Sequence, residues 1–420
     1  MLFNLFSYLA EHNRYLNIFG IVFILFIAWI FSHKRSKINV KLVFSALLLH
    51  FFTGVLVLKT ACGKYVLEKV AYVVRSIYLC ADEGAAFVFG SLSDSTMPWG
   101  FIFAIKVLPV IIFFGALMSL LFHWGIIQVI VNGISYLIRP VLGTSGAETL
   151  CAISNSFLGQ TEAPLLVKDY LRDMTKSEFL LVMVSGMATI SGAILVVFAL
   201  MGVPIDHLLT SSVMSIPASI LIAKILYPET EKSKTAAGAG VAFERKTSNM
   251  FDAIFAGTSD GMKLALNVGA MLISFLALLY LLNIILANAS HGINWAFGLS
   301  LPELSVNKIF SYLFSPFGYL LGFSGDEALT AGKLLGTKVA VNELVAYGQL
   351  VKSDIAVRSK SILTYALCGF SNFSCIGIQI GGIGVLVPGK RLWLTQFGLY
   401  AVLGGALANL LSAMVASLLL

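Results

Sequence analysis

Residues 140–170 read PVLGTSGAETLCAISNSFLGQTEAPLLVKDY. The stretch is apolar enough to enter a bilayer and too broken to cross one. Gly143, Gly146, Gly159 and Pro164 interrupt it, and Glu162 puts a carboxylate into apolar surroundings. A spanning helix needs roughly 20 mostly apolar residues. Irregular backbone or an ionised side chain at membrane depth is tolerated only against protein or a water-filled cavity. Pro140–Tyr170 therefore reads as a re-entrant hairpin.

Phe310–Tyr347 repeats the pattern, with Pro316, Gly322, Gly325, Gly332, Gly336 and Glu343. Glu162 stands 24 residues before Gly186, and Glu343 stands 26 before Gly369. Each glycine opens a small, polar interruption in the following apolar run: Ser185 through Gly192 in one, Gly369 through Ser374 in the other. Paired hairpins, each followed by an interrupted helix, point to a transporter binding site between two repeats. Free N–H and C=O groups at such breaks can hold a polar solute or a cation.

Composition agrees. Apolar residues make up 58% of the 420 and charged residues 12%, against roughly 25% charged in soluble domains. Mean hydropathy is +0.90. Spans are expected near Tyr15–Ser32, Val43–Leu58, Ile102–Phe122, Phe179–Leu200, Leu208–Leu226, Leu264–Ala287, Ile362–Val387 and Leu392–Leu420. The first follows Glu11, His12 and Arg14 and lacks signal-peptide order, so it reads as retained. Lys64–Ile77 has helical apolar spacing with Lys64, Glu68 and Lys69 on another face, which predicts an interfacial helix. Pro228–Lys246 reads as a soluble linker.

The expected fold is an all-α polytopic membrane protein, with about eight transmembrane helices and two opposed re-entrant hairpins in inverted repeats. Its parts are scaffold helices with an interfacial helix (1–138), the first hairpin and broken-helix repeat (139–227), the linker with an interfacial and a scaffold helix (228–306), and the second hairpin repeat (307–420). Lys34, Arg35, Lys37 and Lys41 follow the first span, which predicts that this loop is cytoplasmic and the N-terminus periplasmic or extracellular. Lys59, Lys64, Lys69 and Arg75 run against that threading. The net charge of +7 is read as loop charge rather than a nucleic-acid surface. Five cysteines without a CxxC pair indicate neither a disulfide framework nor zinc.

Two polar clusters carry the chemistry. The first runs from Asn155 to Glu162. The second joins Lys338, Asn342 and Glu343 to Ser371, Asn372 and Ser374. Helix capping is the plainer role for such residues. Two carboxylates with several amides also suit a neutral polyhydroxylated ligand, since carboxylates accept from sugar hydroxyls and amides read a ring's donors and acceptors. Phe370 offers a ring face or ordinary packing. Lys106, inside an apolar span, either pairs with an acid or snorkels to the surface, and snorkelling is the plainer reading. Asp326 and Glu327 are expected at helix ends, and Asn267 and Asn283 between helices.

The chain resembles the bacterial eight-helix branch of the concentrative nucleoside transporter family. The resemblance lies in Glu83-Gly84 through Gly90, Gly159-Gln160-Thr161-Glu162-Ala163-Pro164-Leu165, Gly336-x-Lys338-x3-Asn342-Glu343-Leu344-Val345-Ala346-Tyr347, and Gly369-Phe370-Ser371-Asn372-Phe373-Ser374. These stretches occur in the family's order over almost the full length. The resemblance implies a homotrimer in the inner membrane that imports nucleosides by alternating access, with no organic cofactor. It implies that Gln160, Thr161, Glu162, Ile194, Glu343, Phe370, Asn372 and Cys375 line the nucleoside site. Cys375 departs from the usual serine, and Leu344 from the usual phenylalanine. The resemblance also implies Na+ as coupling ion, held at Asn155, Leu158, Thr189 and Ile190, whose side-chain and main-chain oxygens suit a hard cation. The alternative is H+ coupling, with Glu162 or Glu343 as carrier. A membrane-embedded enzyme finds no HExxH or aspartate-pair motif here. A passive channel is less in keeping with a pocket split between repeats.

Overall fold

The computed structural model describes residues 7–94, 96–100, 102–235, 247–298 and 302–420, and every regular element among them is helical. Three helices open the chain: α1 Arg14–Ile30, α2 Val40–Lys59 and α3 Ala61–Phe89. Asn39 and Thr60 cap α2 and α3 by accepting from Leu42 N and Gly63 N. The expected interfacial helix at Lys64–Ile77 is therefore the first part of a 29-residue helix. Its polar and charged positions continue to Asp82 and Glu83, the helix runs on through Gly84, and Gly90, with a φ of 57°, ends it. Lys106 does not snorkel. Its Nζ lies 2.7 Å from Asp82 Oδ1, tying α3 to the short helix α4 Phe103–Lys106.

Then come α5 Leu108–His123 and α6 Ile126–Leu142. The first hairpin follows as α7 Gly146–Asn155 with the two short turns α8 Ala163–Leu166 and α9 Lys168–Leu171. Pro140 belongs to α6, outside the hairpin. The next span is split into α10 Lys176–Ala188 and α11 Gly192–Leu200, and α12 Ile205–Leu226 completes the repeat. Across the linker, α13 Met250–Phe297 is 48 residues long, twice the expected span. Linker residues 236–246, including Arg245 and Lys246, lie outside the described residues.

The second repeat differs from expectation by one helix. Val306–Leu320 (α14) is a separate helix packed antiparallel on the next one, so Pro316 precedes the hairpin. The hairpin arms are α15 Gly325–Ala340 and α16 Glu343–Lys352, with the apex at Val341-Asn342. Glycines on α15 misled the sequence reading. Gly332 and Gly336 face Ser315 and Phe310 of α14 so closely that no Cβ fits, which makes them packing positions rather than breaks. The broken span is α17 Val357–Leu367 plus α18 Phe373–Leu386, and α19 Arg391–Leu419 closes the chain. Val306 N donates to Asn283 Oδ1, the expected interhelical bond.

Packing sorts the helices into two groups. The span over α10 and α11, α12, and the closing span are 83–89% buried in their apolar windows, and α10, α12 and α19 pack on one another. The windows in α1, α2 and α4–α5 are 22–28% buried, and that of α13 is 0%. The outer helices expose apolar side chains such as Phe19, Phe44, Phe52, Phe251 and Phe255. Such a surface suits lipid or a neighbouring subunit, not water. Among the described residues, seven helices are long and apolar enough to cross a membrane, and α17–α18 supplies a broken eighth. Helices α5 and α13 cross at Gly115, Gly257 and Gly261, where backbone meets backbone.

The two hairpins begin alike, with Ser145-Gly146-Ala147-Glu148 and Ser324-Gly325-Asp326-Glu327. Ser145 and Glu148 form a capping box on α7, and Thr175 and Glu178 form another on α10. Lys224 at the end of α12 joins them, 2.6 Å from Glu148 Oε2 and donating to Ser177 Oγ at 3.0 Å. In the second repeat Glu327 accepts from Ala356 N and Ser359 Oγ, both at 2.9 Å, and so caps α17, the helix-end role expected of it.

Candidate functional site

The tip of the first hairpin spans Ser156 to Glu162. Its chain turns at Gly159, whose N–H donates to Glu162 Oε2 at 3.3 Å, and Pro164 stands in the first turn of α8, where no N–H partner is needed. The tip is fixed to the first break by Gly192 N–H, which donates to Phe157 O at 3.1 Å. At that break α10 ends on Ala188 and Thr189 is extended, while Ser191 caps α11 by accepting from Ile194 N. The break exists because Ser191 offers α11 a new start and Gly192 gives the tip room to approach.

The second wall is built the same way. Asn342 caps α16 by accepting from Val345 N at 2.9 Å, and Asn372 caps α18 by accepting from Cys375 N at 3.0 Å. Asn372 Nδ2 donates to Glu343 Oε2 at 2.9 Å, so hairpin apex and second break share one polar contact. Glu343 and Asn372 are both buried. The two breaks meet each other, since Phe370 N–H donates to Thr189 O at 3.2 Å.

A polar pin holds this crossing. Asn409 of α19 donates through Nδ2 to Ala188 O (2.7 Å) and Cys368 O (2.8 Å), the free carbonyl ends of α10 and α17. Its Oδ1 accepts from Lys338 Nζ at 2.7 Å, and Lys338 also donates to Ala366 O at 2.9 Å. Helix C-termini leave carbonyls without intrahelical partners, and these two side chains satisfy them at both breaks. Gly369 is required here, because a Cβ would run into the Asn409 amide.

The expected nucleoside residues divide into connected groups. Gln160 lies beside the Cys375 thiol, which joins the first tip to α18. Thr161 packs on Gly382 of α18. Ile194 is buried in the first turn of α11. Phe370 is half-buried between the breaks. Glu162 instead opens onto a cavity of about 490 Å³ between the first hairpin and helices α5 and α13. The cavity runs from Thr161 and Glu162 past Asp260 to Lys168, His123 and Thr247. Among its described lining residues, none comes from the second hairpin.

The four expected ion ligands, Asn155, Leu158, Thr189 and Ile190, are all buried at the first tip and first break. Asn155 Nδ2 donates to Ser185 Oγ at 2.9 Å, while its Oδ1 is buried with no partner. Leaving a buried amide oxygen bare costs about 1–3 kcal/mol, so this oxygen is suited to a cation. Asn409 and Gln379 are buried polar residues the sequence reading passed over. Their signal was present: each is a lone amide within an otherwise apolar or small-residue run, which in a membrane helix marks an interior contact.

Two hairpin tips set against two crossed helix breaks give the architecture of a membrane transporter. Family comparison makes this specific. Residues 19–92 and 207–417 match the N-terminal and C-terminal models of the Na+ dependent nucleoside transporters, and residues 104–204 match a nucleoside recognition (Gate) model. The nucleoside permease NupC of Helicobacter pylori is 38% identical, with 96% of this chain and 97% of that protein covered. An uncharacterized transporter of Haemophilus influenzae is 42% identical, with 96% and 97% covered. Human solute carrier family 28 member 3 is 34% identical over 95% of this chain and 59% of its own length. The solved structure of CNTnw in an inward-facing substrate-bound state is 35% identical, covers 98% of this chain and 99% of its own, and superposes with a TM-score of 0.89. An outward-facing variant of the same protein gives 0.88 at 34% identity, with 97% of each chain covered. This chain belongs to the concentrative nucleoside transporter family: it is a membrane transporter of nucleosides, not an enzyme.

Proposed function

We propose that the chain imports nucleosides by sodium symport, with the nucleoside held between the two hairpin tips. The observation that carries the coupling is the bare, buried Oδ1 of Asn155; Leu158, Thr189 and Ile190 are buried as well. Side-chain and main-chain oxygens without a carboxylate suit a monovalent hard cation. Asn155, Leu158, Thr189 and Ile190 would hold the ion, whose positive charge would stabilise the carbonyl-rich end of α10. The first tip and first break would then order together, which prepares Gln160, Thr161 and Glu162 for the nucleobase. Glu343 and Asn372 face the ribose, with Phe370 and Ile194 as apolar walls.

The cavity beside Glu162 is read as the route between this pocket and one membrane face. Alternating access fits the related protein, which is known in inward-facing and outward-facing states. The bare apolar faces of α3 and α13 fit a scaffold shared with other subunits and lipid, as in a homotrimer of the inner membrane. The basic loop Lys34–Lys41 supports an N-terminus on the outer side.

Proteoliposomes with an inward sodium gradient and no proton gradient test the coupling. Uptake of radiolabelled uridine and adenosine should fall about tenfold or more when potassium replaces sodium, and Asn155→Leu should lose that dependence. Equal uptake in both salts would overturn sodium coupling, and uptake that follows a proton gradient instead would shift the role to Glu162 or Glu343. A second test concerns the sugar. Cys375→Ser replaces a weak hydrogen-bond partner with a strong one at the start of α18, and it is expected to lower the KM for nucleosides about three- to tenfold. An unchanged or higher KM would remove residue 375 from the ribose contact.

A further inference from the structure

Gln379 sits in α18 one helical turn after Cys375 and is fully buried. Its Nε2 donates to Met183 O on α10 at 2.9 Å, which fixes which way the amide faces. Its Oε1 has no hydrogen-bond partner. A Cβ built on Gly186 would lie 3.0 Å from Gln379 Nε2 and 2.9 Å from Gln160 Cβ. The two glutamines therefore flank one bare glycine of α10, and the Cys375 thiol lies beside Gln160. Gln160 Oε1 is likewise buried without a partner.

Two amide oxygens bare in one small neighbourhood form an incomplete donor–acceptor set. Each lacks an N–H or O–H donor, and one of them cannot turn over without losing its bond to Met183. We propose that Gln379 is a specificity-determining residue of the nucleoside site, whose fixed oxygen accepts from the exocyclic amino group of an amino-nucleobase. This rests on the reading that Gln160 contacts the base.

A 4-amino or 6-amino group brings donors to this oxygen. A 4-oxo or 6-oxo group at the same place would oppose one lone-pair oxygen with another. A site that hydrogen-bonds a substrate group rejects the analogue that lacks it more strongly than an apolar site does. Gly186 and Gly382 make the arrangement feasible, since a larger residue at either would collide with Gln160 or Thr161.

Two pairs of nucleosides isolate this contact: cytidine with uridine, and adenosine with inosine. Members of a pair differ at the amino or oxo position and in the adjoining ring nitrogen. Each unlabelled nucleoside is titrated against uptake of radiolabelled uridine in proteoliposomes of the wild type, Gln379→Met and Glu343→Gln. Wild-type protein is expected to favour the amino member of each pair about tenfold. Gln379→Met, which keeps volume and removes the oxygen, is expected to bring both ratios within about twofold of unity. Equal affinities within each pair in the wild type would overturn the proposal, and this holds even if Gln379→Met fails to fold. An amino preference that persists in Gln379→Met would also overturn it. Loss of uptake in Glu343→Gln alongside unchanged ratios in Gln379→Met would reject the Gln379 role alone, while full uptake in Glu343→Gln would reject the pocket on which it rests.

Discussion

Glu343→Gln is expected to reduce nucleoside uptake, read as kcat/KM, by about tenfold to a hundredfold, with the protein still folded. The carboxylate is buried at the apex of the second hairpin, where its Oε2 accepts from Asn372 Nδ2 at 2.9 Å. In the proposed binding mode its remaining lone pairs accept from ribose hydroxyls, which can only donate to a carboxylate. Hydrogen bonds to a charged group contribute about 1.5–3 kcal/mol each. The glutamine keeps the shape but turns one acceptor into a donor, which faces the sugar hydroxyls or Asn372 with the wrong polarity. The fold should tolerate it, because Asn342 and not Glu343 caps α16. Uptake kinetics together with a size-exclusion profile in detergent check both halves. Wild-type kcat/KM would take Glu343 out of the pocket.

Asn409→Leu is expected to act more widely, lowering stability by roughly 3–5 kcal/mol. The change strips donors from Ala188 O and Cys368 O and removes the acceptor beside Lys338 Nζ. All of these groups are buried where α19 crosses the two breaks, so water cannot replace the lost amide. The apparent melting temperature in detergent should fall by roughly 10 °C, and uptake should fall with it. Asn409→Asp keeps the acceptor for Lys338 and loses both donors, so it should lie between wild type and leucine. A melting temperature unchanged in Asn409→Leu would show that the breaks do not depend on this pin.

The contrast between those two residues shows what was legible in the sequence. Glu343 announced itself because a carboxylate beside Asn342 interrupts an apolar region, and Glu162 did so for the same reason. The repeat, the two breaks and most span positions followed from spacing alone. Asn409 gave only a single amide in a long apolar helix, and its meaning comes from residues 188, 338 and 368, which only folding brings together. The second hairpin was placed one helix early for a related reason. Gly332 and Gly336 looked like breaks, but their missing side chains let α15 lie against α14. Glycine in a membrane helix marks either a turn or a close neighbour, and sequence spacing does not distinguish them. For Lys106 the sequence allowed either an acid partner or a snorkelling ammonium, because the partner Asp82 stands on another helix. The residues expected to line the nucleoside site were named through family resemblance, and chemistry alone had reached only a small polar solute.

The claim at the centre is that a nucleoside sits between the tips of the two hairpins. A structure determined with bound uridine or adenosine in saturating sodium tests it most directly. The expected result is ribose against Glu343 and Asn372, with the base against Gln160, Thr161 and Glu162. Nucleoside density confined to the cavity beside Asp260 and Lys168, with the space between Gln160 and Asn372 filled by solvent, would contradict it.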